Sequence, residues 1–64
     1  MDANETSRII AAVGGDAAFA RLLGLKASQQ RINNWKRRGI PADVVVANYE
    51  LIQRLRAEYT QESN

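Results

Sequence analysis

The stretch DAAFARLLGLKASQQRINNWKRRG, residues 16–39, decides the fold. Its first eight residues are apolar at helical spacing. Phe19 lies three and four positions before Leu22 and Leu23, so the three share one helix face. Ala18 and Ala20 are small enough for a second helix to approach closely, and Gly24 ends the segment. Beyond it the composition inverts. Gln29, Gln30, Asn33, Asn34, Arg31, Lys36, Arg37 and Arg38 surround only two apolar residues, Ile32 and Trp35. Those two are three apart and fall on one side. Ser28 is a good N-cap and Gly39 a good stop, so the spacing predicts a helix between them with Ile32 and Trp35 inward and the amides outward.

The flanks also read as helices. A first helix is predicted over 3–13, with Asp2 as its cap, Glu5 reaching back in a capping-box-like pair, and Ile9, Ile10 and Val13 as its apolar stripe. Gly14 and Gly15 stop it, and Asp16 is the expected N-cap of the next helix. After Gly39, the run IPAD opens a C-terminal helix over about 41–59. Pro41 suits its first turn, and Asp43 suits the positive end of its dipole. Val45, Asn48, Ile52, Leu55 and Tyr59 follow a 3-4-3-4 spacing, widened by Val44, Ala47 and Leu51. Val44, Val45 and Val46 are β-branched and could instead form a strand within 43–48. The helical spacing continues unbroken to Tyr59, which favours helix. TQESN, residues 60–64, reads as a frayed tail.

Composition sets limits. With 64 residues the chain reads as one domain with a marginal core. It has no cysteine and no histidine, which excludes disulfides, Cys/His zinc sites, thiol nucleophiles and histidine acid–base chemistry. Its seven carboxylates are scattered, so an enzyme is not expected, and no cofactor is. No apolar run is long enough to span a membrane. MDANETSRII lacks the basic and apolar regions of a signal peptide, which makes the cytoplasm the expected compartment. The formal net charge is only +2, but it is unevenly spread. Residues 1–20 hold Asp2, Glu5 and Asp16 against Arg8. Residues 21–38 hold Arg21, Lys26, Arg31, Lys36, Arg37 and Arg38 with no acid. Residues 39–64 hold Asp43, Glu50, Glu58 and Glu62 against Arg54 and Arg56. A basic block between acidic flanks points to an anionic partner.

Two short helices joined by a glycine-containing turn make a helix-turn-helix candidate. Asn and Gln offer a paired donor and acceptor that match the adenine edge in the major groove, and Arg offers a fork that matches guanine. Lys and Arg around them neutralise phosphates. GGDAAFARLLGLKASQQRINNWKRRGIPADVV resembles the helix-turn-helix of phage Cro-type repressors. Within that group it is most similar to YdaS-type antitoxins, with their pattern GG-xAALARALGVSQQAVSxWxRRGxIPAExV. Phe19, Ala20, Leu23 and Gly24 match the motif's packed and turn positions, Ile32 and Trp35 its two buried ones. SQQ at 28–30 and WKRRGIPA at 35–42 match closely, and the resemblance covers about residues 7–47. Two departures stand out. Leu25, Lys26 and Ala27 make the turn two residues longer, and Asp16 stands where many relatives place a phosphate-contacting glutamine.

The resemblance implies an all-α, four- to five-helix, lambda-repressor-like domain with its helix-turn-helix at about 16–37. It implies a cytoplasmic regulator of a bacterial host or phage, acting as a homodimer on double-stranded DNA. It assigns bases to Gln29, Gln30, Asn33, Asn34 and Arg31, and phosphates to Lys26, Ser28, Lys36, Arg37 and Arg38. The antitoxin side of the group implies instead a module whose C-terminal helix binds a protein partner. Plainer readings stand beside these. Cations at a helix C-terminus complement its dipole, and an amide-rich face can be simply solvated. Part of the stripe Val45, Asn48, Ile52, Leu55 and Tyr59 reads as a homodimer surface, with Asn48 as a register device. The alternative is that this stripe wraps the other helices, with Asn48 at its edge.

Overall fold

The computed structural model describes residues 1–24 and 28–59. These form five helices: α1, Ala3–Val13; α2, Asp16–Leu23; α3, Gln29–Arg38; α4, Ala42–Ala47; and α5, Tyr49–Tyr59. No strand occurs among the described residues, so the valine run at 44–46 is helical. The expected all-α, helix-turn-helix-like architecture is what the chain adopts. The longer turn, Leu25–Ala27, and the tail 60–64 lie outside the described residues.

Local chemistry sets the first helix and the third. Asp2 Oδ1 accepts from the Glu5 N–H at 2.8 Å, closing one of the four open donors at the start of α1. The Glu5 carboxylate meets Arg56 Nε at 2.9 Å, tying α1 to α5. At the other end Gly14 takes a left-handed conformation, φ 115°, and the Gly15 N–H returns to the Ile10 carbonyl at 2.9 Å. The Ser28 hydroxyl oxygen caps α3 by accepting from the Arg31 N–H at 3.2 Å.

Two boundary expectations need correcting. Asp16 is the first residue of α2 rather than its cap. Gly15 occupies the cap position, where no side chain bonds the helix. The Asp16 carboxylate instead contacts α3. The C-terminal helix is also not continuous. It breaks at Asn48, φ −123° and ψ 36°, into α4 and α5. Asn48 Nδ2 donates to the Val44 carbonyl one turn back, at 3.0 Å. A short amide side chain bonding the preceding turn competes with the regular backbone pattern.

The core is a cluster of Ile9, Ile10, Phe19, Leu23, Ile32, Trp35, Ile40, Ile52 and Leu55. Met1, Val13, Ala20, Val44, Val45 and Leu51 close around it. Helix α1 packs against α2, α3 and α5, most extensively against α3. Phe19 meets Trp35 edge to face, with ring centroids 6.5 Å apart, which sets how α2 lies against α3. Helix α4 contributes no fully buried residue.

Candidate nucleic-acid interface

Helix α3 is held at its C-terminal end by α1. The Ser7 hydroxyl donates to the Lys36 carbonyl at 3.0 Å, and the Gly39 N–H donates to the Trp35 carbonyl at 2.7 Å. Both carbonyls belong to the last turn, where helical partners run out. Thr6 is fully buried, and its Oγ1 accepts from the Ile40 N–H at 3.3 Å. Gly39 makes the joint possible. Its φ is +96°, and a Cβ there would collide with the Met1 carbonyl and lie 3.1 Å from the Asp2 backbone. The start of α1 therefore rests directly on the end of α3.

This fixes which face of α3 looks outward. Ile32 and Trp35 are buried. On a helix of 3.6 residues per turn, Gln30 and Arg37 lie opposite them, flanked by Asn33 and Asn34. Gln30, Asn33 and Arg37 are exposed and Asn34 is half-buried. Arg37 Nη2 donates to Asn34 Oδ1 at 2.7 Å. Arg37, which the resemblance places on a phosphate, thus stands at the centre of the amide face. Arg31 lies at one edge with its guanidinium over the Trp35 ring, 5.4 Å from the centroid, a cation–π contact. Ser28 and Arg38 are exposed. Lys26 falls outside the described residues.

Gln29 and Lys36 lie along the other edge, and Asp16 joins them. Lys36 Nζ lies 3.1 Å from Asp16 Oδ1 and 3.2 Å from Oδ2. Gln29 Nε2 donates to Asp16 Oδ2, and to Asn33 Oδ1 at 3.5 Å. The basic block of the sequence is therefore not free of acid in space. Asp16, 20 positions away in the chain, neutralises Lys36.

A model of the family described as bacterial toxin YdaS matches residues 6–60. The chain belongs to the YdaS family. No curated protein and no solved structure matches it. The YdaS match reaches past the motif that carries the resemblance and takes in α4 and all of α5.

Most of the stripe, part of which is expected to serve a dimer, is drawn into the monomer in this YdaS-family chain. Ile52 and Leu55 are buried in the monomer core, Val45 packs against it, and Asn48 is half-buried on the Val44 carbonyl. Tyr59 alone of the five is exposed. A core this small needs the stripe to close over α1. The large apolar side chains left in solvent on α4 and α5 are Val46, 71% exposed, Tyr49, 58% exposed, and Tyr59.

Sequence reasoning missed three supports of the site. Thr6 precedes Ile9, Ile10 and Val13 at helical spacing, so the α1 stripe could have included it. Ser7 and the Asp16 carboxylate act across 29 and 20 positions, and no local pattern announces them. Among the described residues no helix is long and apolar enough to cross a membrane, and no three metal-ligating side chains cluster.

Proposed function

We propose that this YdaS-family chain is a sequence-specific DNA-binding regulator of transcription, a repressor of Cro type, that places α3 in the major groove. The observation carrying this reading is the outward face of α3. Gln30, Asn33, Asn34 and Arg37 stand together there, and no residue of the helix is acidic. An ordinary solvated helix face pairs Glu with Lys. Amides with an arginine instead match the donor and acceptor pattern of base edges. Arg38 and the capped N-terminus at Ser28 flank that face, where backbone phosphates run. Arg31, stacked on Trp35, is presented at the edge for a phosphate or a base.

Two copies would occupy two half-sites about 34 Å apart, one helical turn of DNA. Their contact would use side chains the monomer leaves exposed, such as Val46 and Tyr49, since Ile52 and Leu55 serve the core. Repression follows from occupying an operator, with no catalytic step and no cofactor. A selection from random-sequence duplexes tests the reading. It should return a palindrome, with affinity falling steeply as salt rises. A pool with no enriched sequence would sink it.

The exposed Val46 and Tyr49, together with the family's description as a bacterial toxin, favour one second reading. In it the α4–α5 surface binds a protein partner, in the manner of a toxin–antitoxin pair. Val46→Ser with Tyr49→Ser separates the two. Loss of a co-purifying partner with DNA binding intact supports the second reading.

A further inference from the structure

We infer that Asp16 sets the hydrogen-bonding polarity of Gln29, so that Gln29 reads only bases carrying an exocyclic amino group in the major groove. The inference rests on the proposal that α3 reads DNA and specifies what one of its residues recognises.

A glutamine amide has two donors on nitrogen and an acceptor on oxygen, and a free one can present either to a base. Gln29 is not free. An ionised carboxylate only accepts hydrogen bonds, so the amide beside Asp16 must turn its nitrogen toward it. That is the arrangement present, with Gln29 Nε2 donating to Asp16 Oδ2. The same nitrogen also faces Asn33 Oδ1, 3.5 Å away at the outer limit of a hydrogen bond. The nitrogen is then committed to Asp16, and the uncommitted polar atom of Gln29 is Oε1, an acceptor.

Lys36 holds the other end of this chain. Its ammonium lies 3.1 Å and 3.2 Å from the two Asp16 oxygens. It keeps Asp16 in place and offsets its charge, so the carboxylate does not simply repel the phosphates nearby. The sequence Lys36, Asp16, Gln29, Asn33 runs cation, anion, donor, acceptor. Asn33 is left with its Nδ2 hydrogens to give outward.

In the major groove only adenine N6 and cytosine N4 donate. Gln29 Oε1 therefore accepts from adenine or cytosine, and guanine O6 or thymine O4 would meet it oxygen to oxygen. The free Asn33 donor, on the same edge of α3, suits a neighbouring N7, O6 or O4. Asp16 touches no base in this account. It is a positioning residue that writes specificity through Gln29.

The experiment compares duplex selections with wild type, Gln29→Ala and Asp16→Ala. Gln29→Ala identifies the half-site position that depends on Gln29. Every base pair carries one amino group in the major groove, so wild type should prefer the selected pair there over the same pair with that group deleted (purine for adenine, 2-pyrimidinone for cytosine) by about 5- to 150-fold, the usual worth of a good base contact. Asp16→Ala should reduce that preference to below about two-fold, leave the other positions unchanged and not weaken overall binding. A wild-type protein that binds the amino-deleted duplex as tightly as the intact one overturns the inference alone. So does an unchanged preference in Asp16→Ala. A wild-type pool with no enriched sequence overturns the inference together with the DNA-reading proposal. Side-chain amide NMR of the free wild-type protein keeps the test open if Asp16→Ala does not fold. The Gln29 amide protons should exchange with solvent more slowly than those of exposed Gln30, and equal rates would overturn the inference.

Discussion

Replacing Thr6 with valine keeps the shape of the side chain and removes its oxygen. Thr6 is fully buried, and its Oγ1 accepts from the Ile40 N–H at 3.3 Å. Ile40 is itself buried, so in the variant its N–H faces hydrocarbon and cannot turn to water. A buried donor left without a partner costs about 1–3 kcal/mol. The native bond is long for N–H···O, which puts the loss in the lower half of that range. The methyl that replaces the hydroxyl recovers at most about 0.8 kcal/mol. The net expectation is a destabilisation of about 0.5–1.5 kcal/mol. In a domain of this size each kcal/mol moves the melting temperature by about 4–8 °C, so Tm should fall by roughly 2–12 °C. Thermal unfolding by circular dichroism measures the loss, and amide hydrogen exchange locates it. Exchange at Ile40 should quicken in Thr6→Val but stay slow in Thr6→Ser, which keeps the oxygen. A Thr6→Val protein that melts at or above wild type, with Ile40 still protected, would refute the account of how α1 holds the end of α3.

Other substitutions probe the same joint and the outward face. Gly39→Ala forces a left-handed backbone on a residue with a Cβ and drives that Cβ into Met1; the expected loss is about 2–4 kcal/mol in urea unfolding, and a loss under about 1 kcal/mol would contradict the close approach. Glu5→Gln breaks the pair with Arg56, whose side chain is 43% exposed, so the expected loss is at most about 1 kcal/mol at low salt and vanishes in high salt. Arg37→Ala and Arg38→Ala should differ in kind. The first, at the centre of the face, should relax preference at one base position at a cost of about 1–3 kcal/mol; the second should weaken all sequences alike and lower the salt slope by about 1, both read by binding titrations on specific and scrambled duplexes.

The sequence carried the helix boundaries where one residue's chemistry decides them. Asp2 and Ser28 cap as their types require, and Gly14 and Gly39 stop helices because they take positive φ. Phe19, Leu23, Ile32 and Trp35 were legible as core from spacing alone. Contacts made by folding itself were not legible. Counting charge along the chain shows a block of six cations without an acid, yet Asp16 closes on Lys36 once α2 folds against α3. Glu5 and Arg56, 51 positions apart, pair for the same reason. Ile40, at the head of the run IPAD, was not among the residues read as core, but its N–H meets Thr6 and its side chain is buried there. The break at Asn48 escaped notice because apolar spacing on both sides continues through it. The backbone departs from the helix at Asn48 alone, whose side chain bonds the Val44 carbonyl, and the spacing on either side is undisturbed.

That break bears on what α5 can do. A stripe of Val45, Asn48, Ile52, Leu55 and Tyr59 looks excessive for covering three short helices, which is why it reads as a surface for a partner. The core accounts for most of it. Four of its nine buried apolar residues come from α2 and α3, two from α1, one from the link at Ile40, and the last two, Ile52 and Leu55, from α5. Removing Ile52 and Leu55 to serve a partner would open α1 to water on the side α5 covers. Burying a leucine or isoleucine is worth about 1.5–3 kcal/mol. Total stability for 64 residues is about 3–10 kcal/mol. Releasing both would cost about 3–6 kcal/mol, most of that stability. Any partner of the C-terminal helices must dock on what the monomer leaves outside. Ile52→Ala and Tyr49→Ala should then separate cleanly. The first should lower Tm by about 8 °C or more, since a buried isoleucine lost to alanine costs about 2–5 kcal/mol. The second should leave Tm nearly unchanged while weakening association, measured by sedimentation with and without duplex DNA. If Ile52→Ala instead abolished association with no change in Tm, the stripe would be an interface after all.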